Sequence, residues 1–247
     1  MLPIPRRLKK EPLLEAIWEL RFTSGHKVPA GDILPGLIYQ ALRADYPKFT
    51  RLPTADIPVA ISADDPNVAY LVRFRLEQEG GPFIIQIGSQ VISLNCRRPY
   101  AGWARFKERI LALVEVLEET ALIQEPERHA LRYLDLLQLD TPPSTESLQI
   151  ELTLGVEPVI HAPLQLRTEL HENDIIHVVQ IATPAQVQLG TEHNETGTLM
   201  DLDTALKSPS MLFDNVETEL EQLHDASKRK FFALLTKEAI ERLEPKY

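Results

Sequence analysis

Three arginines and a glutamine occupy positions from which they could bind an anion together. Arg21, Arg73 and Arg75 each lie opposite the apolar residues of a predicted strand, and Gln86 can join them across a meander of short strands. A guanidinium group makes two parallel hydrogen bonds to a phosphate. This pattern therefore predicts a sheet face that binds a nucleic acid or a phosphorylated ligand.

The same strands also carry carboxylates that could neutralise these arginines. Glu15, Glu19 and Glu77 are interleaved with them, which is typical of cross-strand ion pairs on a solvated face. No aromatic residue alternates with the arginines, so the stacking platform typical of single-strand recognition is not predicted. The sequence leaves both interpretations open.

Histidines and acids in the second half of the chain are the other candidates for chemistry. Such residues can bind a metal or act as acid and base, but their spacing matches no metal-binding pattern. The chain has one cysteine, Cys96, which excludes a thiolate zinc cluster within it. We therefore predict no metal and no cofactor, and a metal enzyme is the third alternative. The residues concerned are His161, His171, His177, His193, Glu169, Glu172, Asp174, Glu192, Asp201 and Asp203.

Motifs for nucleotide binding and hydrolysis are absent from the sequence. It contains no phosphate-binding P-loop, no dinucleotide fingerprint, no G-x-S-x-G and no H-E-x-x-H. The sequence therefore does not favour the common classes of nucleotide-binding protein and hydrolase, and we predict a noncatalytic protein.

Charge is distributed unevenly along the 247 residues. The chain has 26 Lys and Arg against 36 Asp and Glu, a net charge of −10, and the acidic excess lies after residue 110. An acidic total disfavours nonspecific duplex binding, whereas an acidic half suits a basic partner surface. Another protein or a second copy of the chain is thus the expected partner, and nucleic acid is the less favoured one. No apolar run is long enough to cross a membrane, and a cytoplasmic location is expected.

Hydrophobic periodicity predicts an α+β fold with two antiparallel strand meanders, each covered by an amphipathic helix. A proline-rich break at 141–145 suggests two halves, 1–140 and 141–247, which could also form one continuous domain. In the first half, strands are predicted at 15–22, 70–77, 83–87, 91–96 and 129–139, with helices at 33–46 and 102–119. In the second half, strands are predicted at 148–154, 165–170, 175–182, 186–189 and 198–205, followed by a long helix at 210–235.

The long C-terminal helix carries more apolar surface than one sheet face requires. Phe231, Phe232 and Leu235 lie beside or off its main apolar seam. These residues are the candidate interface for a second copy or for a different protein, with apolar anchors supplying most of the binding energy. The alternative is that both stripes pack within a single chain.

Three blocks of the sequence resemble a known family. They are PIPRRLKKEPLLEAIWELRF at the start, ALRYLDLL in the middle and LEQLHDASKRKFFALLTKEAIERLEP near the end, and they resemble the sporadically distributed bacterial proteins of the TIGR04255 family. The resemblance implies a cytoplasmic α+β protein and supplies no active-site residue. Sporadic distribution is typical of defence and toxin-neutralising genes. The expected function is that of an accessory or neutralising partner in such a system, with a nucleic-acid or nucleotide-binding module as the alternative.

Overall fold

The computed structural model describes residues 4–23, 30–57, 66–189, 193–210 and 212–247. Within these ranges the protein is α+β, with nine strands hydrogen-bonded in one antiparallel sheet. The strands are β1 (Arg7–Leu8), β2 (Leu13–Thr23), β3 (Lys48–Arg51), β4 (Val72–Glu77), β5 (Phe83–Gly88), β6 (Val91–Arg97), β7 (Glu125–Leu137), β8 (Thr153–Leu154), β9 (Glu157–Pro158), β10 (Leu164–Glu172), β11 (Ile175–Leu189), β12 (His193–Leu206) and β13 (Pro245–Lys246). The order in the main sheet is β10-β11-β12-β7-β2-β6-β5-β4-β3, while β1 pairs with β13 and β8 with β9.

Besides two single turns, the described ranges contain four helices. They are α1 (Ala30–Leu42), α2 (Trp103–Thr120), α3 (Leu212–Ala233) and α4 (Lys237–Arg242). A single helical turn covers Pro66–Ala69 and a 3₁₀ turn covers Pro53–Asp56. The last helix begins at Thr236, whose hydroxyl accepts a hydrogen bond from the Ala239 amide at 3.1 Å, as expected of an N-cap threonine. No helix of the described residues is long and apolar enough to span a bilayer.

The chain divides into two compact units, each made of segments that are not consecutive in sequence. Unit I consists of Met1–Leu14, Tyr133–Thr204 and His224–Tyr247, and unit II consists of Glu15–Arg132 and Ala205–Leu223. The proline-rich break at 141–145 lies inside unit I. The division therefore does not follow the two halves expected from the sequence.

The core of unit II lies between one face of its strands and helix α2. Alternation in β2 directs Ala16, Trp18, Leu20 and Phe22 to the buried face, each with no exposed surface. The buried side chains of α2 recur at helical spacing, so one stripe of that helix meets the sheet. The ring of Phe106 stacks on Phe83 of β5, with centroids 6.5 Å apart.

The core of unit I is built from β11, β12 and the end of the chain. Val179 and Ile181 pack with Met200 and Leu202, and Leu235 of the segment between α3 and α4 belongs to the same cluster. The two predicted meanders are present as β4-β5-β6 and β10-β11-β12, but one sheet contains both of them. The segment predicted as a strand at 148–154 forms only an isolated bridge at Leu148 and the two-residue strand β8.

Candidate functional site

A row of polar residues crosses four strands of unit II on the face opposite the apolar core. Arg75 is paired with Gln86, Gln86 with Ser93, and Ser93 with Glu19. Directly opposite residues of antiparallel strands share one face of the sheet, so these side chains form a continuous line. The structure thus brings Arg75 and Gln86 together as the sequence predicted. We call the residues of this surface the polar face: Glu15, Glu19, Arg21, Arg75, Glu77, Gln86, Ser93 and Asn95.

Arg21 is engaged by neighbours on the polar face. Its Nε lies 2.9 Å from Glu19 Oε1, and the same carboxylate oxygen lies 2.9 Å from Arg128 Nη1. The guanidinium carbon of Arg21 also lies 4.3 Å from the ring centroid of Tyr70, within the range of a cation–π contact. Tyr70, the first residue of the strand predicted at 70–77, instead precedes β4, and its ring lies against this arginine.

Arg75 is likewise held by a carboxylate. Its Nη2 lies 2.9 Å from Glu77 Oε1, and Lys48 Nζ lies 3.1 Å from Glu77 Oε2. Burial acts to raise the pKa of Glu77, but the hydrogen bond from Lys48 and the charge of Arg75 outweigh it, so that pKa lies below its ordinary value. Glu77 is therefore ionised at neutral pH and neutralises the two cations beside it.

Arg73 lies apart from the polar face. A β-bulge between Val72 and Phe74 breaks the alternation of β4, and a bulge changes the direction in which side chains point. The Arg73 side chain is buried, with 7% of the residue exposed, and its Nη2 donates to the Ile57 carbonyl at 3.1 Å. The predicted grouping of Arg73 with Arg75 on one exposed face therefore does not form, because strict alternation does not hold at this point.

A second set of hydrogen bonds on the polar face surrounds Glu15. Ser93 Oγ donates to Asn95 Oδ1 at 2.9 Å, and Asn95 Nδ2 donates to Glu15 Oε1 at 2.9 Å. Arg97 Nε lies 3.7 Å from the same carboxylate oxygen. Each of the three carboxylates of this face thus contacts at least one cation, which favours the interpretation of the face as internally paired.

A buried network in unit II links a histidine, a glutamate and a serine. His129 Nδ1 lies 2.7 Å from Glu219 Oε2, and the Ser210 amide and hydroxyl donate to Glu219 Oε1 at 2.8 and 2.5 Å. Burial acts to raise the pKa of Glu219, but the hydrogen bonds from His129 and Ser210 outweigh it and lower that pKa. Since the carboxylate is ionised, Nδ1 of His129 carries the proton that it shares.

The order of groups in this network decides what chemistry it can perform. Nucleophilic catalysis by serine needs the imidazole in contact with the hydroxyl, whereas Ser210 here contacts Glu219 and not His129. The network therefore fixes the start of α3 against β7 rather than activating a nucleophile. The sequence does not reveal this network, because His129 opens a predicted apolar strand and Glu219 lies in an acidic helix. A histidine at the edge of an apolar run was the available signal.

The histidines of unit I lie in separate environments. His177 is fully buried, its Nδ1 lies 3.0 Å from Thr204 Oγ1, and burial is the main cause that lowers its pKa to about 4. His171 Nε2 lies 2.8 Å from Glu169 Oε1 on an exposed surface, and His161 Nε2 lies 3.4 Å from Glu146 Oε1. Glu192 and the side chain of His193 lie outside the described residues. Within the described part of the chain, no three metal-ligating side chains come together.

The predicted interface on the C-terminal helix lies against the core of unit I. Leu235 is 3% exposed and belongs to that core, while Phe231 and Phe232 are partly buried and pack against it. Their two rings meet edge to face, with centroids 5.1 Å apart. These positions favour the alternative that the sequence left open, in which the apolar stripes pack within one chain.

Unit I instead exposes apolar side chains at a hairpin. Strands β8 and β9 pair with Leu154 opposite Glu157, which leaves a two-residue loop of Gly155 and Val156. Gly155 has a φ of +64°, the left-handed conformation that such a loop needs. Leu154 is 69% exposed and Val156 is 93% exposed. The strand predicted at 148–154 ends just before this loop, but neither the hairpin nor its second strand β9 was predicted from the sequence.

No family model matches the chain, and no curated protein matches it.

Proposed function

We propose that the protein is a noncatalytic interaction protein that binds another protein through the β8–β9 hairpin. The observation that carries this proposal is the exposure of Leu154 and Val156 on either side of Gly155. A side chain buried on binding gains roughly 25 cal/mol for each Å² of apolar surface removed from water. Apolar anchors that enter a pocket supply most of the affinity of protein interfaces, and a tight turn presents such anchors in a fixed geometry.

The charges around the hairpin indicate the kind of partner it fits. Glu151 and Glu157 are exposed beside the hairpin, and Glu146, 57% exposed, lies beside His161. An apolar tip with acidic neighbours suits a pocket with a basic rim, because opposite charges at the edge of an interface steer association and fix its orientation. The acidic excess of the second part of the sequence supports the same partner chemistry.

Nucleic-acid binding on the polar face is the less favoured function. A free phosphate would have to compete with Glu19 for Arg21 and with Glu77 for Arg75. Arginines that are already neutralised by carboxylates release no counterions from a nucleic acid, so the affinity for a nucleic acid would not depend steeply on salt concentration. Titration with oligonucleotides at two salt concentrations tests this alternative, and strong binding with a steep salt slope would favour it over the proposal.

A variant of the hairpin tests the proposed function directly. The double variant Leu154→Asp with Val156→Asp should keep the thermal stability of the parent, since both side chains are exposed. Affinity capture from the native host should recover a partner with the parent chain and lose it with the variant. Leu37→Asp, on an apolar residue of α1 that is 37% exposed, is the matched control and should keep the partner. Equal recovery with the parent and the hairpin variant would overturn the proposal.

The biological setting of this function follows only from the resemblance of the three sequence blocks. An accessory or neutralising partner of a bacterial defence or toxin-related system would use such a surface to bind its target. Co-expression of the chain with proteins encoded beside its gene tests that setting. If one of them is a toxin that this chain neutralises, cells producing the toxin should grow only when the chain is also present.

A further inference from the structure

The two edge strands of the main sheet differ in how they meet solvent. Strand β3 has four residues, lies between Pro47 and Pro53, and its Lys48 and Arg51 are paired with Glu77 and Asp56. Short strands with nearby prolines are protected against pairing with other chains. Strand β10 has nine residues with no internal proline, and its register with β11 runs without a bulge. Its outer edge is therefore a regular template for another strand.

We infer that two copies of the chain pair antiparallel through β10, with Thr168 of each copy on the twofold axis. This inference goes beyond the proposed function, because it requires no other protein. In this register Arg167 of one copy lies opposite Glu169 of the other, and the twofold axis repeats that pair. Oppositely charged residues directly across an antiparallel pair stabilise it.

The charges on the strand select this register among its neighbours. Moving the axis to Arg167 would place two arginines opposite each other, and moving it to Glu169 would place two glutamates opposite each other. Like charges in directly opposite positions destabilise strand pairing. Arg167 is exposed and, among the described residues, has no carboxylate within ion-pair distance, while Glu169 is 45% exposed beside His171. The cation of the strand is thus available for a partner.

The other face of β10 fits the same arrangement. With Thr168 on the axis, Leu166 of one copy lies opposite Leu170 of the other. Leu170 is one of the exposed large apolar residues, at 37%, and Leu166 is partly buried against the core of unit I. Pairing would cover Leu170 with an apolar side chain that the core already holds in place. Because the pairing uses up the β10 edge of both copies, association ends at a dimer.

Charge reversal combined with sedimentation velocity tests the dimer. Because a single strand pair buries less area than a standard interface and binds weakly, the measurement should cover about a hundredfold range of protein concentration. The parent should form dimers as the concentration rises. Arg167→Glu and Glu169→Arg should each raise the dissociation constant by about tenfold or more, because two attractive pairs become two repulsive ones. An equimolar mixture of the two variants should recover dimers, since every opposed pair in the mixed dimer is again attractive.

Control variants separate this inference from the proposed function. Arg105→Glu and Glu115→Arg make the same charge changes at exposed positions of α2 and should leave the dimer unchanged. The hairpin variant should also leave it unchanged, so loss of partner capture and loss of the dimer are distinguishable. A parent chain that stays monomeric at every concentration, or dimers that persist in Arg167→Glu, would overturn the β10 pairing. Failure of the mixture to recover dimers would overturn it as well.

Discussion

His129 and Glu219 form a buried pair in unit II, with Nδ1 and Oε2 2.7 Å apart and the histidine fully removed from solvent. The other imidazole nitrogen, Nε2, is buried with no hydrogen-bond partner among the described residues, as is Nε1 of Trp18. The two rings meet edge to face at 6.1 Å between centroids. The pair thus satisfies one end of the imidazole and leaves the other in apolar surroundings.

Removing one member of this pair should destabilise the protein strongly. Glu219→Leu leaves His129 and Ser210 without their acceptor, and breaking a buried pair in this way costs about 3–5 kcal/mol. Urea unfolding at neutral pH measures the loss. The double variant Glu219→Leu with His129→Phe should lose less unfolding free energy than the two single variants lose together. The reason is that no histidine remains without its hydrogen-bond partner. Additive losses would show that the two residues act independently.

The same carboxylate should make stability depend on pH in the acid range. The folded pKa of Glu219 lies below that of an unfolded glutamate, so its contribution is fully present above about pH 4.3 and is lost as pH falls through the folded pKa. Glu219→Gln keeps an acceptor for Ser210 but cannot titrate. We expect the curve of unfolding free energy against pH to be flatter for this variant in acid. Parallel curves for variant and parent would contradict the assignment.

His177 should oppose folding in mild acid. Its folded pKa is about 4, against an ordinary 6.5. As pH falls below 6.5 the unfolded chain binds a proton that the folded chain does not, and the resulting loss of stability is complete only below about pH 4. His177→Gln should reduce the dependence of the melting temperature on pH within this window. An unchanged dependence in His177→Gln would contradict this expectation.

The arginines of β4 should differ in their contribution to stability. Arg75→Ala breaks a partly exposed ion pair, which is worth about 0–1 kcal/mol. Arg73→Ala removes a buried donor and leaves the Ile57 carbonyl without that hydrogen bond, at a cost of about 1–3 kcal/mol. If both arginines lay on a solvated face, replacing either would change stability little, whereas the buried position of Arg73 predicts a clear loss of stability from that one residue. Chemical denaturation of the two single variants decides between these expectations.

Leu235 should behave as a core residue. Leu235→Ala removes a side chain that is 3% exposed, and such truncations cost about 2–5 kcal/mol. The double variant Phe232→Glu with Leu235→Glu should unfold the monomer rather than dissociate a folded complex. Circular dichroism together with sedimentation separates the two results. A variant that stays folded and loses only its association would support the interpretation of these residues as a protein interface.

Metal analysis addresses the third alternative function. Purification without added metal should give a folded protein with no stoichiometric zinc, iron or manganese, as the histidine spacing predicts. Elemental analysis by mass spectrometry measures this directly. About one equivalent of metal, lost on replacement of His171 or His193, would contradict the prediction.

Periodicity in the sequence predicted most of the elements because alternation and helical spacing are local. The strand containing Trp18 and the helix containing Phe106 have the expected boundaries to within a few residues. The order of strands in the sheet is not local, since β7 lies between β12 and β2, and no periodicity specifies such neighbours. One sheet containing both meanders therefore could not be predicted.

The candidate sites were less predictable for a related reason. Arg75 and Gln86 could be paired from the hairpin between their strands, but the bulge at Arg73 depends on how β4 pairs with the neighbouring strand β5. His129 and Glu219 are far apart in sequence, and nothing local marks them as a pair. Apolar residues such as Leu235 look the same in sequence whether they face a core or a partner, because only tertiary packing distinguishes the two.

The short ladder of β1 and β13 has a consequence for synthesis of the chain. Arg7 pairs with Lys246 and Leu8 with Pro245, so two strands that are far apart in sequence lie side by side. Leu8 belongs to the core of unit I, and the strand that holds it in place is synthesised long after Leu8 itself. Unit I therefore completes its packing only after translation has passed Lys246, and a ribosome stalled earlier would expose this part of the core to proteases and chaperones.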